Sequence, residues 1–131
     1  MTKEFNNLEE IQKYYDEKTN TYVFKEDDDE YIDLVIFNFD LEIESNIDAC
    51  DIKAFNISAF NIEACDISAF DIKAHSIDSN EISAYEIIAN NITYYAVCFA
   101  YNNIKCKSIK GRRWNHKHFV LDGVLDVEEE L

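Results

Sequence analysis

Proline is absent from the chain and glycine occurs twice in 131 residues, so neither a Pro-rich arm nor a Gly/Ser linker divides it. No apolar run approaches the roughly 18 residues that a membrane-spanning helix needs. The N-terminus lacks a basic and apolar leader, and the expected localisation is cytoplasmic. The four cysteines (Cys50, Cys65, Cys98 and Cys106) show no CxxC spacing, which reads as free thiols. Cys50 and Cys65 are expected on different sides of the fold. Cys98, Cys106, His116 and His118 are zinc-ligand types without the spacing of a zinc finger. The acids at 26–30 lack the EF-hand pattern. No nucleophile–base set and no phosphate-binding glycine loop is recognisable. Neither catalysis nor a metal or cofactor is expected.

Positive charge is also scarce, and what there is lies in one place. Residues 1–86 hold 22 acids and 6 bases, residues 87–121 hold no acid and 6 bases, and the last ten residues hold 5 acids and no base. The net charge of −15 makes nucleic acid an unfavourable direct ligand and a basic protein a favourable one. The basic strip (Lys105, Lys107, Lys110, Arg112, Arg113 and Lys117) reads as a partner for the acidic body, internally or across a dimer.

From residue 46 to 100 an apolar residue recurs every fifth position, from Ile47 and Ile52 to Ile92 and Val97. Two residues after most of these stands a small one, such as Ala49, Ala54, Ala59 or Ser79. Asp or Asn usually precedes the Ile, so the unit is Asp/Asn-Ile-x-Ala-x. A period of five fits neither a helix at 3.6 nor a strand at 2.0. It does fit a short extended piece with Ile and Ala on one side, followed by a bend. Four such pieces would close a square coil of about 20 residues, stacked at about 4.8 Å. Ile52, Ile72 and Ile92 would then share an interior column. Asp51 with Asp71, Asp66 with Glu86, and Lys53 with Lys73 would share outer ones.

The repeat resembles the pentapeptide-repeat family over about 55 of the 131 residues. The usual unit of that family puts the small residue before the large one; here Ile precedes Ala. The resemblance implies an all-β fold, a right-handed quadrilateral β-helix. Residues 1–45 are expected to form an acidic N-terminal cap with a short helix, and 101–131 a C-terminal cap bearing the basic strip. Phe5, Leu8, Ile11 and Tyr15 are spaced for that helix, with Asn6 or Asn7 as its N-cap. Phe37, Phe39, Leu41 and Ile43 alternate as one strand. Phe119 to Val127 reads as a closing strand or hairpin around Asp122-Gly123. The aromatic position after Ala (Phe55, Phe60, Phe70, Tyr85 and Tyr95) is expected to fold over the corners.

The stretch Tyr94 to Arg113 is similar to the ends of repeat proteins carried by phages and prophages of low-GC bacteria. Some pentapeptide-repeat proteins are DNA mimics that bind type II topoisomerases, and some small acidic phage proteins inhibit CRISPR effector complexes. These resemblances imply a nucleic-acid mimic that occupies a basic groove on a host complex, anti-CRISPR-like or directed at gyrase. The other expectation is a self-assembling interaction module, possible as a homodimer. The acids expected to carry partner binding are Asp27, Asp28, Asp29, Glu30, Asp51, Glu63, Asp66, Asp71, Asp78, Glu81 and Glu86.

Overall fold

The computed structural model describes residues 1–26 and 30–129. Parallel strands wind into a β-solenoid of about six turns. Ile47 pairs with Ile62, Ile52 with Ile67, Ile57 with Ile72 and Ile62 with Ile77. Each turn of the repeat therefore takes fifteen residues and has three five-residue sides, which corrects the expected square coil. The ten repeat isoleucines from Ile47 to Ile92 all lie in one buried cluster, with Ala49, Ala54 and Ala59 at the bends. Three isoleucines per turn, one from each side, fill the axis. A fourth side would widen the lumen and leave a void along it, at a free-energy cost that grows with cavity volume.

The first side carries the strands Asn46–Asp48 and Asn61–Glu63, the second Ile52–Ala54 and the third Asn56–Ser58. From there Asp66–Ala100 runs on as one continuous strand that bends around the corners. The fifteen-residue step also corrects the expected columns. Ile52 stands beside Ile67 rather than Ile72, and Lys53 and Lys73 lie on different sides, beside Ser68 and Ser58 respectively.

Before the repeats the turns are longer. Leu34 pairs with Ile52, and Leu41 with Ile57. Residues 33–43 are therefore two short strands, Asp33–Ile36 and Leu41–Glu42, on two different sides. A single alternating strand is ruled out because the chain rounds a corner at exposed Phe37. The first 16 residues comprise the strand Thr2–Glu4, a 3₁₀ helix Leu8–Tyr14, and the strand Tyr15–Asp16. At three residues per turn, Ile11 and Tyr14 share a face. Both are buried, whereas Tyr15 and Leu8 are exposed. The Asn7 side chain accepts from Glu10 N–H at 3.2 Å, and the Glu10 carboxylate accepts from Asn6 N–H at 2.5 Å. The helix's Tyr14 ring packs on Phe5 and Phe24, and Phe24 in turn on Tyr22.

After the repeats the coil continues with wider turns. Ile104–Gly111 lies parallel beside the third and first sides, with Ile104 opposite Ile87 and Ile109 opposite Ile92. Lys117–Val120 pairs with 97–100, and Leu125–Glu129 with Ile104–Ser108. The expected hairpin around Asp122-Gly123 is corrected: the two last strands do not pair with each other, and each extends a different side in parallel. Gly123 is needed there because a Cβ would stand 1.8 Å from the Asn102 carbonyl oxygen.

Candidate functional site

Within each unit the residues on either side of the Ile point outward, because neighbours in an extended strand alternate. With fifteen residues per turn, the outward positions of every third unit line up. At the corner between the first and second sides this brings acids together in two columns. Asp48 pairs with Glu63, and Glu63 with Asp78, on the first side. Across the bend, Asp33, Asp51, Asp66 and Glu81 line the second side. The Asp33 carboxylate accepts from Asp51 N–H at 3.1 Å, and Asp51, Asp66 and Glu81 edge one groove. The bend itself is made by Cys50, Cys65 and Asn80, linked from turn to turn by Cys65 N–H to Cys50 carbonyl and Asn80 N–H to Cys65 carbonyl.

Carboxylates about 4.8 Å apart repel by roughly 1 kcal/mol in bulk water and by several times that where solvent is partly excluded. Asp51 reports this: burial raises its carboxyl above the ordinary value, and the charges of Asp33 and Asp66 raise it further, against an opposing pull from Lys53. Among the described residues, Lys25, Lys53, Arg112 and Arg113 line the grooves beside the columns. Tyr31 donates its hydroxyl to Asp48 at 2.8 Å. Arg112 ends the first column by donating to Asp78 at 2.9 Å and Asn80 Oδ1 at 3.2 Å. Tyr31, Asp48, Glu63, Asp78, Asn80 and Arg112 line a shallow groove of about 290 Å³.

Five of the expected binding residues, Asp51, Glu63, Asp66, Asp78 and Glu81, meet at this corner. Asp71 and Glu86 do not; they lie on the third side. Glu86 there accepts from Asn102 and Asn103 at 3.2 and 3.3 Å. Asp71 Oδ1 is buried without a protein donor, and burial followed by the charge of Glu86 raises its carboxyl. Glu30 is exposed beside Tyr31, and Asp27, Asp28 and Asp29 lie outside the described residues. Asp33 and Asp48 are corner acids absent from the expected set. Asp48 was findable, since it holds the same repeat position as Glu63 and Asp78 three and six units on. Asp33 precedes the repeat and is brought in only by the longer turn that sets Leu34 beside Ile52.

The other two corners differ in chemistry. Phe37, Phe55, Phe70, Tyr85 and Tyr101 form a ladder of rings along one, with successive centroids 4.7–6.4 Å apart. All five are 38–51% exposed, so the rings stand out from the corner instead of covering it. The third corner stacks Phe60 on His75 at 4.8 Å, with Asn90 bonded to the His75 ring at 3.0 Å.

One expectation about cysteine changes. Cys50 and Cys65 share a corner, with their Sγ atoms 3.2 Å apart. Cys98, Cys106, His116 and His118 do not converge; the only such cluster among the described residues is Cys50, Asp51 and Cys65. Burial holds the Cys98 and Cys106 thiols protonated, pushed up to about 12 and about 11. His118 is engaged with the Tyr94 hydroxyl at 2.6 Å. No helix among the described residues is long and apolar enough to cross a membrane.

The fold and the corner together define an acidic β-solenoid with a three-sided, fifteen-residue turn. Compared with protein-family models, curated proteins and solved structures, the chain finds no significant match.

Proposed function

We propose that the protein is a nucleic-acid mimic that binds, without catalysis, the basic groove of a nucleic-acid-handling complex. The carrying observation is the double column of seven carboxylates, Asp33, Asp48, Asp51, Glu63, Asp66, Asp78 and Glu81, along one corner. Two columns stepping at about 4.8 Å place one charge per about 2.4 Å of axis, against about 1.7 Å for duplex DNA. A groove built to release counterions from phosphates gains in the same way from these carboxylates. The target class we favour is a host defence effector of the CRISPR kind, met by a phage or prophage protein in the host cytoplasm. A type II topoisomerase is the alternative occupant of the same surface. In this reading the 3₁₀ helix and the last strands act as caps on a coil of right-handed sense, and free nucleic acid is not a ligand.

The test is competition with duplex or guide-bound nucleic acid for a purified effector complex, and separately for gyrase. Replacing Asp51, Glu63 and Asp66 together by Lys is expected to abolish competition, while Asp71→Lys with Glu86→Lys leaves it intact. Equal loss from both sets, or none from either, would refute the mimicry.

The exposed aromatic ladder supports a second reading, self-association through that corner. Sedimentation of Phe55→Ser/Phe70→Ser against the parent chain distinguishes it: a monomeric parent at high concentration removes it.

A further inference from the structure

The two half-buried thiols at the acidic corner need an explanation that the mimicry does not provide. Cys50 and Cys65 occupy equivalent positions of successive turns, held in register by the Cys65 N–H to Cys50 carbonyl bond at 3.0 Å. Their Sγ atoms lie 3.2 Å apart, and one carboxylate oxygen of Asp51 stands within 4.8 Å of both. The Asp33 carboxylate, on the preceding turn, accepts from Asp51 N–H at 3.1 Å. Two sulfurs and the Asp51 carboxylate, from two adjacent turns, thus face one another. Lys53 bears on Asp51 with opposite charge.

We propose that Cys50 Sγ, Cys65 Sγ and the Asp51 carboxylate form a binding site for a thiophilic divalent cation of the zinc class, with Asp33 or water as fourth ligand. The ligand set suits that class. Zinc takes thiolate and carboxylate together in tetrahedral sites, with Zn–S near 2.3 Å and Zn–O near 2.1 Å. Tetrahedral angles at those lengths separate two sulfurs by about 3.8 Å, so the pair has to spread by only about 0.6 Å. Hard cations such as magnesium and calcium prefer all-oxygen sites and are disfavoured by the two sulfurs. A disulfide would use the sulfurs alone and leave Asp51, Asp33 and Asp66 with Lys53 as the cation that acts on Asp51. A divalent ion meets all of these groups at once. Rigid backbone pairing on both sides of the corner holds the ligands in place before the ion arrives, which limits the entropy of binding.

The full reduced chain is titrated with Zn²⁺ by calorimetry and with Co²⁺ by near-ultraviolet absorption, which reports thiolate bound to metal. One ion per chain is expected, with a charge-transfer band from two thiolates. Cys50→Ser and Cys65→Ser are each expected to weaken Zn²⁺ binding about a hundredfold and Asp51→Asn about tenfold, the range seen when groups that bind or orient a metal are removed. Asp71→Asn on the third side is expected to change nothing. Asp51→Asn keeps both thiols, so it remains informative if a cysteine variant fails to fold. Absence of binding to the reduced chain overturns the proposal, as does binding unchanged in Cys65→Ser or in Asp51→Asn. A Cys50–Cys65 disulfide that forms in excess Zn²⁺, on exposure to a low-molecular-weight disulfide, also overturns it, because liganded thiolates are shielded from exchange. The inference does not depend on the mimicry, and these outcomes leave the competition experiment untouched.

Discussion

Phe70 and Tyr85 stack with ring centroids 4.7 Å apart and planes 3° from parallel, although fifteen residues separate them. Only residues at the same corner of successive turns can meet in this way, so the pair is a direct measure of the turn length. A double-mutant cycle of Phe70→Ala and Tyr85→Ala, read by chemical denaturation, is expected to give a coupling of about 0.5–1.5 kcal/mol. Pairing Phe70→Ala with Tyr95→Ala, on another corner, is expected to give none.

The axis is a harder test of packing. Ile72 is fully buried at the middle of the third side, between Ile57 and the turn that follows. Ile72→Ala is expected to cost about 2–5 kcal/mol, and Ile72→Val about 0.5–1.5. Ile88, which follows buried Ile87 and points outward, is more than a third exposed. Ile88→Ala is expected to cost well under half as much as Ile72→Ala. Urea midpoints of the three variants decide the comparison.

Asp71 makes the pH dependence specific. Its carboxyl is raised from the ordinary 3.8, first by burial and then by Glu86, with Lys73 opposing. The folded chain therefore holds this proton more tightly than the unfolded chain does. Between 3.8 and the raised value the folded state binds more protons, so stability falls as pH rises through that window. Asp51 acts in the same direction. Glu26, whose carboxyl is lowered by Lys3, acts in the opposite one: its contribution is present above the unfolded value and lost on acidification. Asp71→Asn is expected to raise the melting temperature at neutral pH and to flatten its dependence on pH in the acid range. A variant less stable than the parent at neutral pH would contradict the assigned cause.

Gly123 is exposed, yet a methyl there would fall 1.8 Å from the Asn102 carbonyl oxygen, which is backbone and cannot swing aside. Gly123→Ala is expected to cost about 1–3 kcal/mol, as overpacking does, despite its surface position. Thermal unfolding of this variant against Val124→Ala, a neighbouring exposed site, checks it.

Much of the acidic corner was legible in the residues. Asp51, Glu63, Asp66, Asp78 and Glu81 are conspicuous as outward acids of a strict repeat, and they do converge. Asp71 and Glu86 occupy equivalent repeat positions, and nothing local separates them from Asp66 and Glu81. Which side of the coil each occupies depends on how many units close a turn. That number also moved Cys65 beside Cys50. The N-terminal region was harder to read, because the spacing of Phe5, Leu8, Ile11 and Tyr15 suits an α-helix while the chain forms a 3₁₀ turn that buries Tyr14 instead.

The sequence alone determined that the chain coils, which residue points inward at each step, and that its outer face is acidic. These follow from a five-residue alternation of apolar and polar groups, which is local. The tertiary structure decided that three sides, not four, complete a turn. That choice belongs to the lumen: the packing of three isoleucine side chains around one axis selects it, and no single repeat contains the information. From it come the double column of carboxylates, the aromatic ladder, and the thiol pair beside Asp51.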